Sequence, residues 1–544
     1  MPARDHGRRG FVVADWLAGL SDGQSIGLAS ALLFVMASWP LLLVRLPPLQ
    51  DLPNHVATAH IIAHPDLYPQ YVFNGFFKSN SLLTLWLHVF GQFGLMGAAR
   101  VFTGVVLAAN AVALPIFILR FAGRRSLWVG LLGAWPLVHS FFLSMGMLNF
   151  CFAFALSLLL LVLIDRQRER PTGQRALATT ALAVAVWYAH PFPLLIAIGL
   201  VGLHALGQPT WRARVKTGVI QLGPLAPLAA LFLLSAQQHL VKAERPHSPT
   251  ERAFAYLPPW ETVAHVWLDA SGALTRWGSV TLLPAVVLFY FAWKRRREVR
   301  PLFPPVAVAG LVAGYLALPT MISNWWYLNC RLVPFLWVCA LVRVPERLPR
   351  FLTAALVAAA VWFSVALGVD YVRLDRDRAA FAAGTAAVPM QATLLPLVFK
   401  QKRTSDFTAS LTHAWADYVI ARNTSAPLVF AVERSYPITY RDFPPAAVIA
   451  PALDQFAEKR GTAAQVCKLY RPDRPDVDAE CTQKWRREWA DFWREAQPRF
   501  SHVLTWAMPD DARPIIPSAY QRVFVAGDLE IYERAPDAAL GSHP

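Results

Sequence analysis

"IGLASALLFVMASWPLLLVRLPPLQDLPNH", residues 26–55, begins as a long apolar run and ends in two prolines, an aspartate, an asparagine and a histidine. The apolar part, Ile26 to Leu46, has the roughly 20 residues that a helix needs to cross hydrocarbon. The whole chain has the same character. Of its 544 residues 55% are hydrophobic and only 16% charged, with a mean hydropathy of +0.37, which is too apolar for an ordinary soluble protein.

Comparable runs follow at Arg100 to Leu119, Leu127 to Met145, Met147 to Ile164, Ala176 to Tyr188, Pro193 to Gly207 and Gly218 to Ser235. Others lie at Ser279 to Trp293, Pro305 to Leu318, Leu332 to Leu341 and Phe351 to Val369. Counted as spans, they predict a polytopic α-helical membrane protein with about eleven transmembrane helices. Leu82 to Leu95 reads equally well as a helix in the membrane interface, given His88 and Gln92. "FVVADWLAGL", residues 11–20, is expected to lie along the cytoplasmic interface. No signal-peptide cleavage site precedes the first run, so it is expected to remain as a span.

The basic residues give the orientation. Alternate connections carry Arg4, Arg8 and Arg9; Arg120, Arg124 and Arg125; Arg166, Arg168, Arg170 and Arg175; Arg212, Arg214 and Lys216; "KRRREVR" from Lys294; and Arg343, Arg347 and Arg350. The intervening ones are nearly free of Lys and Arg, apart from a long loop around Lys242 to Arg276 and the single Arg331. Short cytoplasmic loops collect positive charge, so the N-terminus is expected inside and the C-terminus outside. The formal charge of +16 is then a matter of topology, and no nucleic-acid partner is called for.

After Asp370 charges become frequent and apolar runs shorten, as in a soluble α/β domain. "APLVFAVE", "FSHVLTWAM" and "QRVFVAGDLEIYERA" read as strands, the last as a hairpin at Ala526-Gly527-Asp528, and "AECTQKWRREWADFWREAQ" as an amphipathic helix. The organisation predicted is a cytoplasmic segment 1–25, a membrane domain 26–369 with outer loops at 47–81 and 236–278, and an extracytoplasmic domain 370–544. Cys151, Cys330 and Cys339 read as small buried hydrophobes in or beside spans. Cys467 and Cys481, in the exported domain, are expected to form a disulfide, and no CxxC or HxxxH partner suggests zinc.

Polar residues near a span must find partners or line a wet cavity, so their positions are informative. At the outer ends stand Asp51, Asn54, His55, His60, His64 and Asp66; His139 and Asn149; Tyr188 and His190. The long loop has His239, Lys242, Glu244, Arg245, His247, Glu251, Glu261, His265 and Asp269, and the loop before the tenth run has Asn324, Tyr327, Asn329 and Arg331. A lone His at a helix end is more often a satisfied residue than a catalyst, so His139, His60, His64 and His239 are read individually as structural. Asp51 is different. It follows Pro47 and Pro48 and precedes a helix opened by Pro53, whose Val56, Ala59, Ile61 and Ile62 are expected to face lipid, with the carboxylate held at the membrane surface.

With "LQDLPNH" opening the first outer loop, then many spans and a soluble α/β tail, the chain resembles the GT-C superfamily of polyprenyl-phosphate-sugar-dependent glycosyltransferases. That superfamily includes the protein mannosyltransferases and the aminoarabinose transferases of lipid A. The resemblance implies an enzyme of the bacterial inner membrane. It would take a sugar from a polyprenyl phosphate at the outer leaflet and pass it to an envelope lipid, polysaccharide or protein. Members often carry Asp-Glu in this loop; here Leu52 follows Asp51, and participation of a divalent metal stays open.

In such a reaction the acceptor hydroxyl loses a proton as it attacks, and Asp51 is the candidate general base. The phosphate leaving group needs a permanent cation with a hydrogen-bonding fork, for which Arg331 is the candidate. His55, His190, Lys242 and Arg245 are candidates for a second donor, with Asn54 and Tyr327 beside them in the substrate site. No Gly-rich nucleotide cradle is apparent, in agreement with a lipid-linked donor. Two other readings stay open: a transporter or flippase of lipid-linked sugars, and a non-catalytic envelope-assembly protein.

Overall fold

The computed structural model describes residues 17, 19–240, 254–263, 276–298, 300, 302–322, 325–402, 408–432, 436–449, 453, 456–473 and 476–535. Most of segment 11–20, together with Lys242 and Arg245, lies outside them. Among the described residues six helices are long and apolar enough to cross a membrane: Asp22–Leu42, Leu95–Phe121, Arg124–Ser144, Leu148–Glu169, Trp277–Lys294 and Arg350–Ala387. A seventh is counted if Trp211–Leu225 and Pro227–Leu233, bent by 54° at their junction, form one span.

These helices mark an integral membrane protein, and they correct the expected count of eleven. Each apolar run does fall on a helix, but Gly173–Ala189, Pro191–Leu206, Pro305–Ala317 and Cys330–Leu341 have only 17, 16, 13 and 12 residues. At 1.5 Å per residue a 12-residue helix is about 18 Å long, short of the roughly 30 Å of hydrocarbon. Leu82–Phe93 is likewise short.

The arginine-rich connections gather at one end of the bundle. Arg124 reaches the backbone carbonyl of Leu20. Arg125 lies 3.6 Å from Glu346, and Arg295 donates to the carbonyl of Arg343. Asp165, almost wholly buried, takes Arg120 Nε at 2.7 Å and Arg168 Nε at 3.0 Å, tying Leu95–Phe121 to Leu148–Glu169. Within the bundle Asn110 Nδ2 donates to Cys151 O across the same pair. The first and last spans meet where Trp39 Nε1 donates to Ser364 Oγ, at 2.8 Å. Leu32, Val35, Val361 and Val365 on these two helices stay exposed, as lipid-facing side chains do.

At the opposite end the connection after Leu46 does not lie against lipid. The helix Leu52–Ala63 is buried on nearly every side, with Val56, Ala59 and Ile61 at 0%, 2% and 3% exposure, which corrects the expectation that they face the membrane. Leu52, Val56 and Ala59 join the membrane core, whereas Ala57 and Ile61 join the core of the C-terminal domain. The helix is the seat of that domain. Next to it Tyr71–Phe73 pairs antiparallel with Ile438–Tyr440, in register Tyr71 to Tyr440.

The last span leads into the tail without a break. Arg350–Phe381 has 32 residues, about 48 Å, so its final third must project beyond the hydrocarbon. There Arg378 pairs with Asp417 at 3.1 Å. The tail is a mixed four-stranded sheet in the order Leu394–Val398, His502–Trp506, Leu529–Arg534, Tyr520–Ala526, with the first pair parallel. The helix Ala479–Ala496 fills the connection before His502–Trp506 and buries Trp485, Trp489, Phe492 and Trp493. The hairpin turns at Gly527, where φ is +59°. "APLVFAVE" is not a strand: residues 426–432 run as turns and bends under the helix Leu52–Ala63, so their apolar side chains pack without a ladder. Leu394–Val398 is a strand with no alternation because all five residues are buried.

Cys467 and Cys481 are joined in a disulfide, Cα atoms 5.1 Å apart and 14 residues apart in sequence. A loop of that length constrains the unfolded chain by about 3 kcal/mol. The double substitution of both cysteines by serine should therefore lower tail stability by about that amount. Thermal unfolding followed by tryptophan fluorescence checks it; coincident curves for wild type and variant would refute the estimate.

Candidate functional site

The turn before Leu52 is held by backbone. Gln50 N–H donates to Ser144 O and Asp51 N–H to Met145 O, both at 3.1 Å. Gly146 makes this approach feasible. Its φ is +83°, and a Cβ there would stand 2.8 Å from the Asp51 nitrogen and 2.9 Å from that of Leu52. Asp51 therefore sits where the first connection crosses the turn between two spans. Although Asp51 is the N-cap residue of Leu52–Ala63, its side chain makes no capping hydrogen bond. The carboxylate faces the tail instead, with Oδ1 3.5 Å from His413 Nε2.

Asn54 and His55, one helical turn along, face the same tail segment. Asn54 Nδ2 donates to Leu428 O at 2.9 Å and lies 3.3 Å from His413 Nδ1, while its Oδ1 accepts from Phe430 N–H at 3.1 Å. The His55 ring meets Phe430 edge-on, centroids 5.7 Å apart. Its edge is partly accessible, but close packing desolvates the imidazole and pushes its pKa down to about 4, against the pull of Asp51.

That depression has a sign. A His whose folded pKa lies below its unfolded value of about 6.5 contributes stability in full above pH 6.5, lost progressively as the pH falls to about 4. Wild type should thus lose thermal stability relative to His55→Gln over that window. Parallel pH profiles of the two proteins in detergent would show that His55 is not the group responsible.

The second centre is Arg331, in the short turn Cys330–Leu332, only 6% exposed. Its Nη1 lies 2.8 Å from His190 Nε2, and its Nη2 donates to Trp326 O at 3.2 Å. The rings of Phe150 and Phe192 flank the guanidinium at 5.6 and 5.9 Å. Three helices begin around it: Leu148–Glu169, Pro191–Leu206 with His190 as N-cap, and Val333–Leu341 after the Cys330–Leu332 turn. Helix starts carry partial positive charge, so they add to the guanidinium in favouring an anion. His190 is in conflict with itself here. Its Nδ1 also lies 3.1 Å from Phe192 N–H, and a neutral imidazole accepts at only one nitrogen. The two contacts therefore compete for the single acceptor of the neutral ring.

Aromatic side chains of the tail connect the two centres. His413 meets Phe430 edge-on at 5.1 Å, Phe430 stacks on Tyr436 at 5.5 Å, and Tyr436 lies in the neighbourhood of Arg331. Tyr327 stands beside Arg331 in sequence, with φ at +58° and its ring against Phe141 at 5.4 Å. Asp51, Asn54, His55, His190, Tyr327 and Arg331 thus share one end of the bundle.

Other polar residues of that end are structural. His139 is fully buried with Nε2 3.1 Å from the Tyr371 hydroxyl, and His60 reaches Asn423 Oδ1 at 2.8 Å. His413, Phe430 and Tyr436 were not among the candidates from sequence. They lie in a turn-rich stretch without periodicity, and "LTHAW" offers no motif. Among the described residues no three His, Cys, Asp or Glu side chains are grouped to hold a metal ion. No protein-family model matches the chain, and no curated protein matches it.

Proposed function

We propose that the protein is a membrane glycosyltransferase of GT-C type, moving a sugar from a polyprenyl phosphate to an envelope lipid, polysaccharide or protein at the outer face of the bacterial inner membrane. The observation that carries this reading is the junction of membrane domain and tail. There a carboxylate, Asp51, contacts His413, whose ring meets Phe430 and through it Tyr436, and the buried Arg331 stands at the same end of the bundle. A carboxylate can take the acceptor's proton. The guanidinium and the three helix starts suit a phosphate leaving group. Aromatic faces suit the C–H surface of a sugar between them.

Sidedness supports it. The tail rests on the connection that follows the first span, so the segment before that span lies at the other end, with the arginines. The positive-inside rule then makes the arginine end cytoplasmic, and a disulfide suits an exported tail. Fusions of a reporter after Arg297 and at the C-terminus test the orientation; a C-terminal reporter active in the cytoplasm would refute it.

A specific observation favours the non-catalytic alternative. Gln50, Asn54, His60 and Asn74 all bond to the tail, so much of the polarity after the first span serves docking. The transporter reading draws on one bent helix pair, without a counterpart among the described residues. Mass spectrometry of envelope glycolipids and polysaccharides with and without the protein discriminates, together with transfer from a polyprenyl-phosphate sugar in vitro. One missing sugar and measurable transfer support the enzyme. An unchanged glycan profile with no transfer refutes it.

A further inference from the structure

His413 reaches the candidate base from the far side of the domain junction, and the hydrogen-bond pattern determines where its proton sits. Asn54 is the starting point. Its carboxamide accepts from Phe430 N–H and donates to Leu428 O, two backbone contacts that distinguish its oxygen from its nitrogen. The second Nδ2 hydrogen then points to His413 Nδ1, 3.3 Å away, and Nδ1 must accept. The imidazole proton is left on Nε2, on the side of Asp51 Oδ1 at 3.5 Å. That distance is longer than a settled hydrogen bond, a common state of acid–base sites before substrate closes them. His413 is 2% exposed, and the Trp415 and Phe430 rings meet its own edge-on at 6.0 and 5.1 Å, so it has little freedom to turn.

We infer that Asn54 and His413 form a positioning relay for Asp51: Asn54 imposes the Nε2–H tautomer on His413, which holds Asp51 Oδ1 and leaves Oδ2 for the acceptor hydroxyl. The inference rests on the reading of Asp51 as general base. No proton is transferred to His413; it donates a hydrogen bond while Asp51 takes the proton from the attacking oxygen. The relay makes the orientation of the base depend on the assembly of tail and membrane domain, since Asn54 and Asp51 come from one and His413 from the other. Among the described residues, the titratable groups facing His413 are Asp51 and His55, both on or beside the helix Leu52–Ala63.

Two measurements test it. Nitrogen-15 NMR of histidine-labelled protein in detergent, with His413 assigned by its loss in His413→Gln, reads the tautomer directly. Nε2 should be protonated and Nδ1 bare in wild type, and Asn54→Leu should abolish that preference. A wild-type ring protonated on Nδ1 overturns the relay, and this result needs no second variant if Asn54→Leu fails to fold. The second measurement is sugar transfer from a polyprenyl phosphate. His413→Ala should lower kcat about 10- to 100-fold with KM unchanged, whereas His413→Gln, which restores an N–H donor, should recover most of it. If His413→Ala retains full kcat while Asp51→Asn does not, the relay is refuted and the general base stands. If Asp51→Asn is fully active, the base itself is wrong and the relay falls with it.

Discussion

Asp51→Asn should lower sugar transfer by about 10²- to 10⁴-fold, the usual share of a general base, while the protein folds and binds its donor as wild type does. Asparagine preserves the size of the side chain and an oxygen for His413 Nε2–H, so the junction with the tail is kept. No capping bond is at stake, because the Asp51 side chain makes none. What is lost is basicity. A role confined to docking the tail predicts the opposite, a nearly silent substitution with an unchanged rate. Turnover by the purified variant separates the two, with donor binding measured in parallel. A wild-type rate would remove Asp51 from the mechanism and with it the main reason for the glycosyltransferase reading.

Arg331→Lys keeps the charge and loses the fork. Arginine here faces His190 through Nη1 and Trp326 O through Nη2 at once, between two phenyl rings. A lysine ammonium is a point charge on a flexible stem and cannot reproduce that planar arrangement. Donor affinity and turnover should fall together, by about 10- to 100-fold, because in the proposed reaction the phosphate is held in the ground state and gains charge in the transition state. His190→Ala should weaken donor binding in the same direction, and His190→Gln less. A variant with lower kcat but unchanged donor affinity would place Arg331 in support of the fold rather than on the phosphate. Tryptophan fluorescence and size-exclusion profiles matching wild type exclude misfolding as the cause.

These two residues were legible in the sequence for a simple reason. A carboxylate after a span and a lone arginine in an otherwise uncharged connection are expensive placements, visible without knowing what they touch. Asn54, His55 and His190 come from the same logic. His413 does not: 359 residues separate it from Asn54, in a segment of turns with no period, and only the contact reveals it. Phe430 fails for a second reason. "APLVFAVE" looks like a strand because it is apolar, yet it is apolar in order to pack beneath the helix Leu52–Ala63.

By itself the sequence determined where the apolar helices lie, where they give way to a tail of mixed helix and sheet, the terminal hairpin and the Ala479–Ala496 helix. All of these follow from local composition and period, which act within a few residues of one another. The number of long spans, six or seven among the described residues, was decided by tertiary structure, because an apolar run records only exclusion from water. A short helix buried among other helices and a long one facing lipid satisfy that condition equally. The destination of the Leu52–Ala63 helix was decided in the same way. Its Val56, Ala59 and Ile61 required an apolar neighbour, and the neighbour turned out to be protein, of the helical bundle for the first two and of the C-terminal domain for the third, rather than lipid.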